Sequence, residues 1–215
     1  MSDPIVRAIG LTGGIATGKT AISNYLADTY KFPILDADIY AREAVHPGSP
    51  ILNSIVERYG ALILLPDGNL NRLELGNIIF CNPAERQWLE QQIHPYVRRR
   101  FVEGTQSCIA ALSQVSQNTL TLVLVVPLLF EAQMTDLCTE IWVVYCSPEV
   151  QLARLLKRDG LSSDRALARI NAQMPIAQKC QKADVVLDNS STLDSLFLQV
   201  DAELTSSRDS SRSDS

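Results

Sequence analysis

Histidine is nearly absent from this chain, with two in 215 residues, and the five cysteines (Cys81, Cys108, Cys138, Cys146 and Cys180) form no CxxC pair. Neither a thiolate zinc site nor a disulfide framework is supported. Scattered thiols in mostly apolar or helical surroundings fit a reducing, cytoplasmic setting. Excess positive charge is missing too: 19 Lys and Arg against 24 Asp and Glu leave a net charge of −5. Holding nucleic acid by phosphate neutralisation needs a basic field, so nucleic acid is not an expected partner, whereas a local basic pocket for a small phosphorylated ligand stays open. No hydrophobic run approaches the ~20 residues that span a bilayer. The most apolar run, Leu120 to Phe130, is interrupted by Pro127 and reads as a buried strand, so no membrane partner is expected. Met-Ser-Asp-Pro at the start does not read as a signal peptide. The guanine-selecting tetrapeptide Asn-Lys-x-Asp does not occur, which argues against a switch GTPase.

The composition, 46% hydrophobic and 20% charged, is that of a soluble globular protein, and the length suits one domain. Short apolar runs at Ile5 to Leu11, Phe32 to Leu35, Leu120 to Val126, Glu140 to Cys146 and Val185 to Leu187 are rich in Val, Ile and Leu with little alternation. That pattern predicts a five-stranded parallel sheet covered by helices on both faces, an α/β fold. Between the second and third strands, Pro50 to Tyr59, Leu70 to Phe80 and Pro83 to Leu112 show helical spacing, with His94-Pro95 expected to end one helix. This is too much chain for one crossover, so a helical subdomain inserted at about 60–117 is expected within a domain of residues 1–205. The tail at 206–215 contains only Ser, Arg and Asp, has nothing apolar to bury, and reads as disordered.

Gly13-Gly14-Ile15-Ala16-Thr17-Gly18-Lys19-Thr20 satisfies the phosphate-loop pattern G-x-x-x-x-G-K-[ST]. It follows a predicted strand and opens a predicted helix, the context that the motif requires. Glycines let successive backbone N–H groups converge on phosphate oxygens, and the helix beginning near Lys19 points its positive end at the same anion. Lys19 can reach the β- and γ-phosphates, the Thr20 hydroxyl can ligate Mg²⁺, and the Ala21 amide lies where an α-phosphate would be met. ATP with Mg²⁺ is the expected ligand.

The third strand ends in Val126-Pro127 rather than in an acidic residue, which leaves Asp36 and Asp38, after the second strand, as the acidic candidates. In a parallel sheet the carboxyl ends of the strands line the ligand crevice. There a carboxylate can take the proton of an acceptor hydroxyl or hold Mg²⁺ through water. Asp38 is the first choice; the alternative is that it caps the following helix. Arg154 and Arg158 are four apart on one helix face, before the break Asp159-Gly160, and suit a lid that brings guanidinium groups to the transferred phosphoryl. Glu131 falls near the crevice or starts a helix.

Taken together, these segments resemble the dephospho-CoA kinase family over roughly Ile9 to Asn189. The resemblance rests on Gly10 to Ile15 leading into the loop, Asp36-Ala37-Asp38 with Arg42, Gly68 to Arg72, Ile93-His94-Pro95, Val126 to Glu131, Gln151 to Leu161, Ile170 to Gln173, and Ala183 to Asn189. It implies a phosphate-loop kinase with a nucleotide core, a helical part that binds the coenzyme A precursor, and a lid at about 154–175. The implied reaction is transfer of the ATP γ-phosphoryl to the ribose 3′-hydroxyl of dephospho-CoA. It also implies Asp38 as the catalytic carboxylate, Arg154 and Arg158 as lid or nucleotide contacts, Asn189 beside adenine, and Arg72 and His94 in the substrate-binding part. Ala16-Thr17 departs from a commoner Gly-Ser, and Asn71 replaces a basic residue before Arg72. The rival readings are another small-molecule kinase, acting on a nucleoside or a sugar acid, and a nucleotide-gated binding protein with little turnover.

Overall fold

The computed structural model describes residues 4–113 and 119–210. Five aliphatic runs become strands: β1 (Ile5–Gly13), β2 (Ile34–Asp36), β3 (Thr119–Val125), β4 (Glu140–Tyr145) and β5 (Val185–Asp188). They form one sheet in the order β2-β3-β1-β4-β5. β1 runs parallel to both of its neighbours, with Ile9 opposite Val123 and Leu11 opposite Trp142, and β4 runs parallel to β5. From Ala8 to Gly13 every residue of β1 is buried. The phosphate loop is therefore delivered from a buried strand that is paired on both sides.

The helices are α1 (Lys19–Tyr30), α2 (Ala37–Ala44), α3 (Pro50–Tyr59), α4 (Arg72–Cys81), α5 (Pro83–Ser113), α6 (Pro148–Asp159), α7 (Ser163–Asn171), α8 (Ile176–Gln181) and α9 (Leu193–Ser210). No described helix is long and apolar enough to cross a membrane. Ile22 and Leu26 of α1 and Leu196, Val200 and Leu204 of α9 pack with Ile9, Leu11, Val123, Trp142 and Val144 of the sheet. Burying one such aliphatic side chain contributes about 1.5–3 kcal/mol. Tyr25 and Tyr30 both donate to Asp201, at 2.8 and 2.7 Å, and Tyr25 stacks on Phe197, which fixes α9 against α1.

The chain divides into two compact units, Asp36–Gly104, and Met1–Leu35 with Thr105–Ser215. The first is helical and has its own core, in which Val45, Leu52 and Ile55 join Ile63, Leu70, Leu75 and Leu89. Because α3 shares that core with α4 and α5, and Tyr40 of α2 packs edge-on against Phe101 of α5, this unit begins and ends earlier than the expected 60–117 insertion; residues 114–117 lie outside the described residues. Ser49 caps α3 by accepting the Leu52 N–H at 3.1 Å, and Asn71 caps α4 by accepting the Glu74 N–H at 3.2 Å. The departure at Asn71 thus has a local use.

Two local expectations need correcting. His94-Pro95 does not end a helix: Pro95 lies inside α5, which runs unbroken from Pro83 to Ser113. Proline removes one donor, the one that would bond the Gln91 carbonyl, while Leu89, Val97 and Phe101 are all buried and hold both halves. The tail also starts later than Ser206, since α9 continues through Ser210, with 211–215 outside the described residues. Once buried Leu196, Val200 and Leu204 have nucleated the helix, each further residue adds a hydrogen bond.

Candidate active site

β1 ends at Gly13, with φ 149°, and the loop returns through Ala16 at φ 60° and Gly18 at φ 106° before α1 begins at Lys19. A β-carbon on Gly13 would come within 2.5 Å of the Val144 carbonyl oxygen, and one on Gly18 would collide with the Asn189 side chain. These glycines are therefore required by space as well as by φ. Ala16 carries a β-carbon in the left-handed region, at a cost of about 1–2 kcal/mol. That is the physical meaning of Ala16 standing where glycine is commoner.

Side chains take up the loop's carbonyl groups. Lys19 Nζ donates to the Gly13 and Gly14 carbonyls at 3.2 and 2.8 Å, and the buried Thr17 hydroxyl donates to Gly14 at 3.0 Å. Gln151 Nε2 donates to the Ile15 carbonyl at 2.9 Å, and Asn189 Nδ2 to the Thr17 carbonyl at 2.8 Å. The Ile15 N–H donates to Gln173 Oε1 at 2.7 Å. Ala21 closes the first turn of α1, its N–H donating to the Gly18 carbonyl at 3.0 Å. Thr20 lies in that turn with an exposed side chain. This arrangement suits an anion: carbonyl dipoles held back, the positive end of a helix, and an ammonium group within reach.

At the end of β2, Asp36 is the cap of α2, its carboxylate accepting the Asp38 N–H at 2.7 Å. Asp38 is therefore inside the first turn of α2, not its cap, and its exposed carboxylate lies at the positive end of the helix. In the same unit Arg72 and Arg42 are near enough that, after burial, the Arg42 charge is what lowers the Arg72 pKa. Half-buried His94 is pushed below its ordinary value by burial, against a smaller opposing pull from Glu90. Its imidazole is neutral at pH 7.

The two arginines of α6 have different surroundings. Arg154 buries one guanidinium nitrogen, Nη1, with no hydrogen-bond partner among the described residues, and it approaches Cys146. Burial raises the Cys146 thiol pKa, and Arg154 opposes that rise. Arg158 is exposed and pairs with Asp159 at 2.7 Å, to which Arg169 also donates at 2.8 Å. Glu131 neither starts a helix nor stands alone: its carboxylate pairs with Lys179, which is fully buried, at 2.9 Å.

The model of the dephospho-CoA kinase family (CoaE) matches residues 7–195. The chain belongs to this family. Its relative in Trichormus variabilis, a dephospho-CoA kinase, is 58% identical over 198 residues, 92% of this chain and 96% of the relative. Among solved structures, TT1252 from Thermus thermophilus is 30% identical with a TM-score of 0.73, over 95% of this chain and 98% of that one. The dephospho-CoA kinase from Campylobacter jejuni is 26% identical with a TM-score of 0.66, over 94% of this chain and 96% of that one.

For a dephospho-CoA kinase family member, the residues that sequence reasoning missed are amides. Gln151 and Gln173 bound two of the segments that carry the resemblance, but as uncharged amides they are given no role there. One signal was available: Gln151 lies four residues before Leu155 on α6, so it shares that helix's buried face. A polar side chain on such a face needs a partner, and here the partner is the phosphate loop.

Proposed function

We propose that this protein transfers the γ-phosphoryl group of ATP to the ribose 3′-hydroxyl of dephospho-CoA, giving coenzyme A and ADP. The observation that carries the reading is the phosphate loop itself, set on the central strand with Lys19 folded across it, in a chain of this family. The 3′-oxygen attacks the γ-phosphorus, the bond to the bridging oxygen breaks, and ADP leaves. Lys19 moves from the Gly14 carbonyl to the phosphate oxygens and offsets charge in the transition state. Asp38 receives the hydroxyl proton. Arg154 supplies a partly buried guanidinium for the transferring group, and Arg158 assists from the lid that we assign to about 154–175. Gly13 through Ala21 hold the phosphates, and the segment at Asn189 lies beside adenine.

Thr20 is the one side chain in this proposal that would hold Mg²⁺. The described residues contain no group of three or more acidic, His or Cys side chains suited to a metal. An exposed hydroxyl oxygen at the first turn of α1 is the hard donor type that such an ion would take. Bound Mg²⁺ would withdraw charge from the β- and γ-phosphates. For the acceptor, Arg42 and Arg72 form a like-charged pair that an anionic group would relieve, and neutral His94 would serve as a hydrogen-bonding group. We assign dephospho-CoA to the helical unit on these grounds, and a cytoplasmic setting from the reaction and the free thiols of Cys108, Cys138, Cys146 and Cys180.

The test is ADP release with MgATP in the presence and absence of dephospho-CoA, with a nucleoside and a sugar acid as competing acceptors. Stimulation by dephospho-CoA alone is expected, and Lys19→Ala should abolish it in a folded protein. Acceptor-independent turnover, binding without turnover, or preference for another acceptor would overturn the proposal.

A further inference from the structure

Ile15, the third residue of the phosphate loop, is gripped on both of its backbone polar groups. Gln151, only 4% exposed, donates to its carbonyl at 2.9 Å, and Gln173 accepts its N–H at 2.7 Å. The chemistry fixes which end of each amide faces the loop, since a carbonyl needs the NH₂ group and an N–H needs the oxygen. A trans peptide is planar, with its C=O and N–H pointing opposite ways. Pinning the Ile15 carbonyl toward α6 therefore sends the Ala16 N–H the other way. Pinning the Ile15 N–H on Gln173 turns the Gly14 carbonyl toward Lys19 Nζ, which meets it at 2.8 Å. Two successive peptide planes are set by two side chains.

Gln173 sits on an anchored segment. Next to Gln173, the Met174 N–H donates to Glu131 at 2.9 Å. Glu131 pairs with fully buried Lys179, and Lys179 also donates to the Pro127 carbonyl at 3.0 Å. The same carbonyl accepts the Thr12 hydroxyl at 3.3 Å, at the base of the phosphate loop. The bonds thus run from β1 through Pro127, Lys179, Glu131 and Met174 to Gln173 and back to Ile15. Ala16, the next residue along, is in the left-handed conformation.

We propose that Gln151 and Gln173 are positioning residues for phosphoryl transfer, acting through Ile15 to aim the Ala16 N–H at the phosphate and to seat Lys19. This rests on the proposed ATP chemistry of the loop. The test uses Gln151→Met, Gln173→Met and the double variant, which keep length and bulk but remove donor and acceptor. MgATP affinity is measured by calorimetry, alongside kcat, KM for both substrates and the melting temperature. Each single variant should weaken MgATP binding about three- to tenfold, the scale of one lost hydrogen bond. KM for dephospho-CoA should stay near the wild-type value, and melting should shift little. Because both side chains act on one residue, the double variant should lose less than the product of the single losses.

Unchanged MgATP affinity in folded Gln173→Met, which alters a half-buried rather than a fully buried site, would overturn the inference even if Gln151→Met failed to fold. Equal losses toward both substrates, or a multiplicative double variant, would also overturn it. A wild-type protein that binds MgATP but leaves dephospho-CoA unphosphorylated would instead refute the proposed acceptor, and the affinities would still decide the role of the glutamines.

Discussion

Asp36 and Asp38 are two residues apart, yet the backbone gives them different tasks. Asp36 spends one carboxylate oxygen on the Asp38 N–H and starts α2, whereas the exposed Asp38 carboxylate is one position too far along to cap the same helix. Asp38→Asn keeps shape and hydrogen bonding but cannot accept a proton. Loss of a general base is worth on the order of 10²–10⁴ in rate, so kcat should fall by that much while MgATP affinity and melting temperature hold. Titrating Mg²⁺ separates the roles: a defect in holding the ion shrinks as Mg²⁺ rises, and a missing base does not return. Near-wild-type kcat at every Mg²⁺ concentration would remove Asp38 from the chemistry.

Among the elements, α5 is the one whose sequence misleads. Proline usually closes a helix, and His94-Pro95 reads as a stop, but Pro95 costs α5 a single bond while the packing of Leu89, Val97 and Phe101 outweighs it. An interior proline disfavours a helix by about 3 kcal/mol. Pro95→Ala should recover part of this, offset by about 0.4–1 kcal/mol from the freer unfolded chain. A rise of a few degrees in melting temperature is expected, and a fall would mean that the proline ring itself makes contacts that its neighbours need. The strands and the phosphate loop were legible because aliphatic runs and the Gly-Lys-Thr spacing state their own local physics. The unit boundary at Asp36 was not, because it depends on Tyr40 of α2 packing against Phe101 of α5, far along the sequence. The grip on Ile15 was hidden for a similar reason. Its partners Gln151 and Gln173 are more than 130 residues away in sequence and meet it only through the fold.

For the whole molecule, acid stability divides by pH range. His94, Glu85 and Asp67 belong to the helical unit, whereas Glu149 and Asp159, lowered carboxylates that matter only below the ordinary carboxylate range, belong to the sheet unit. His94 alone among them acts near pH 6. Burial lowers the folded pKa of His94 below the ordinary 6.5, so the folded unit holds fewer protons than the unfolded chain. Its stability is complete above pH 6.5 and falls as pH drops through the lowered value. Glu85, bonded by Arg58 and Tyr59, is held at about 2 against an ordinary 4.5, so its contribution is lost as pH falls from 4.5 toward 2. Amide exchange at pH 5 should therefore accelerate within Asp36–Gly104 before it does in the sheet unit, and His94→Gln should flatten the change between pH 6.5 and 5. Earlier loss of protection in the sheet would contradict this.

The central place of β1 also bears on how the chain is made. Ile5 pairs with Thr119, and Ile9 with Glu140, so once β1 has been made, more than 100 further residues must follow before either neighbour exists. At about 5–20 residues per second, that interval is on the order of 5–20 s. Within the same interval the whole of the helical unit, contiguous in sequence, is made. For that interval the nascent phosphate-binding strand is an apolar strand without its neighbours, the kind of segment that a holding chaperone covers.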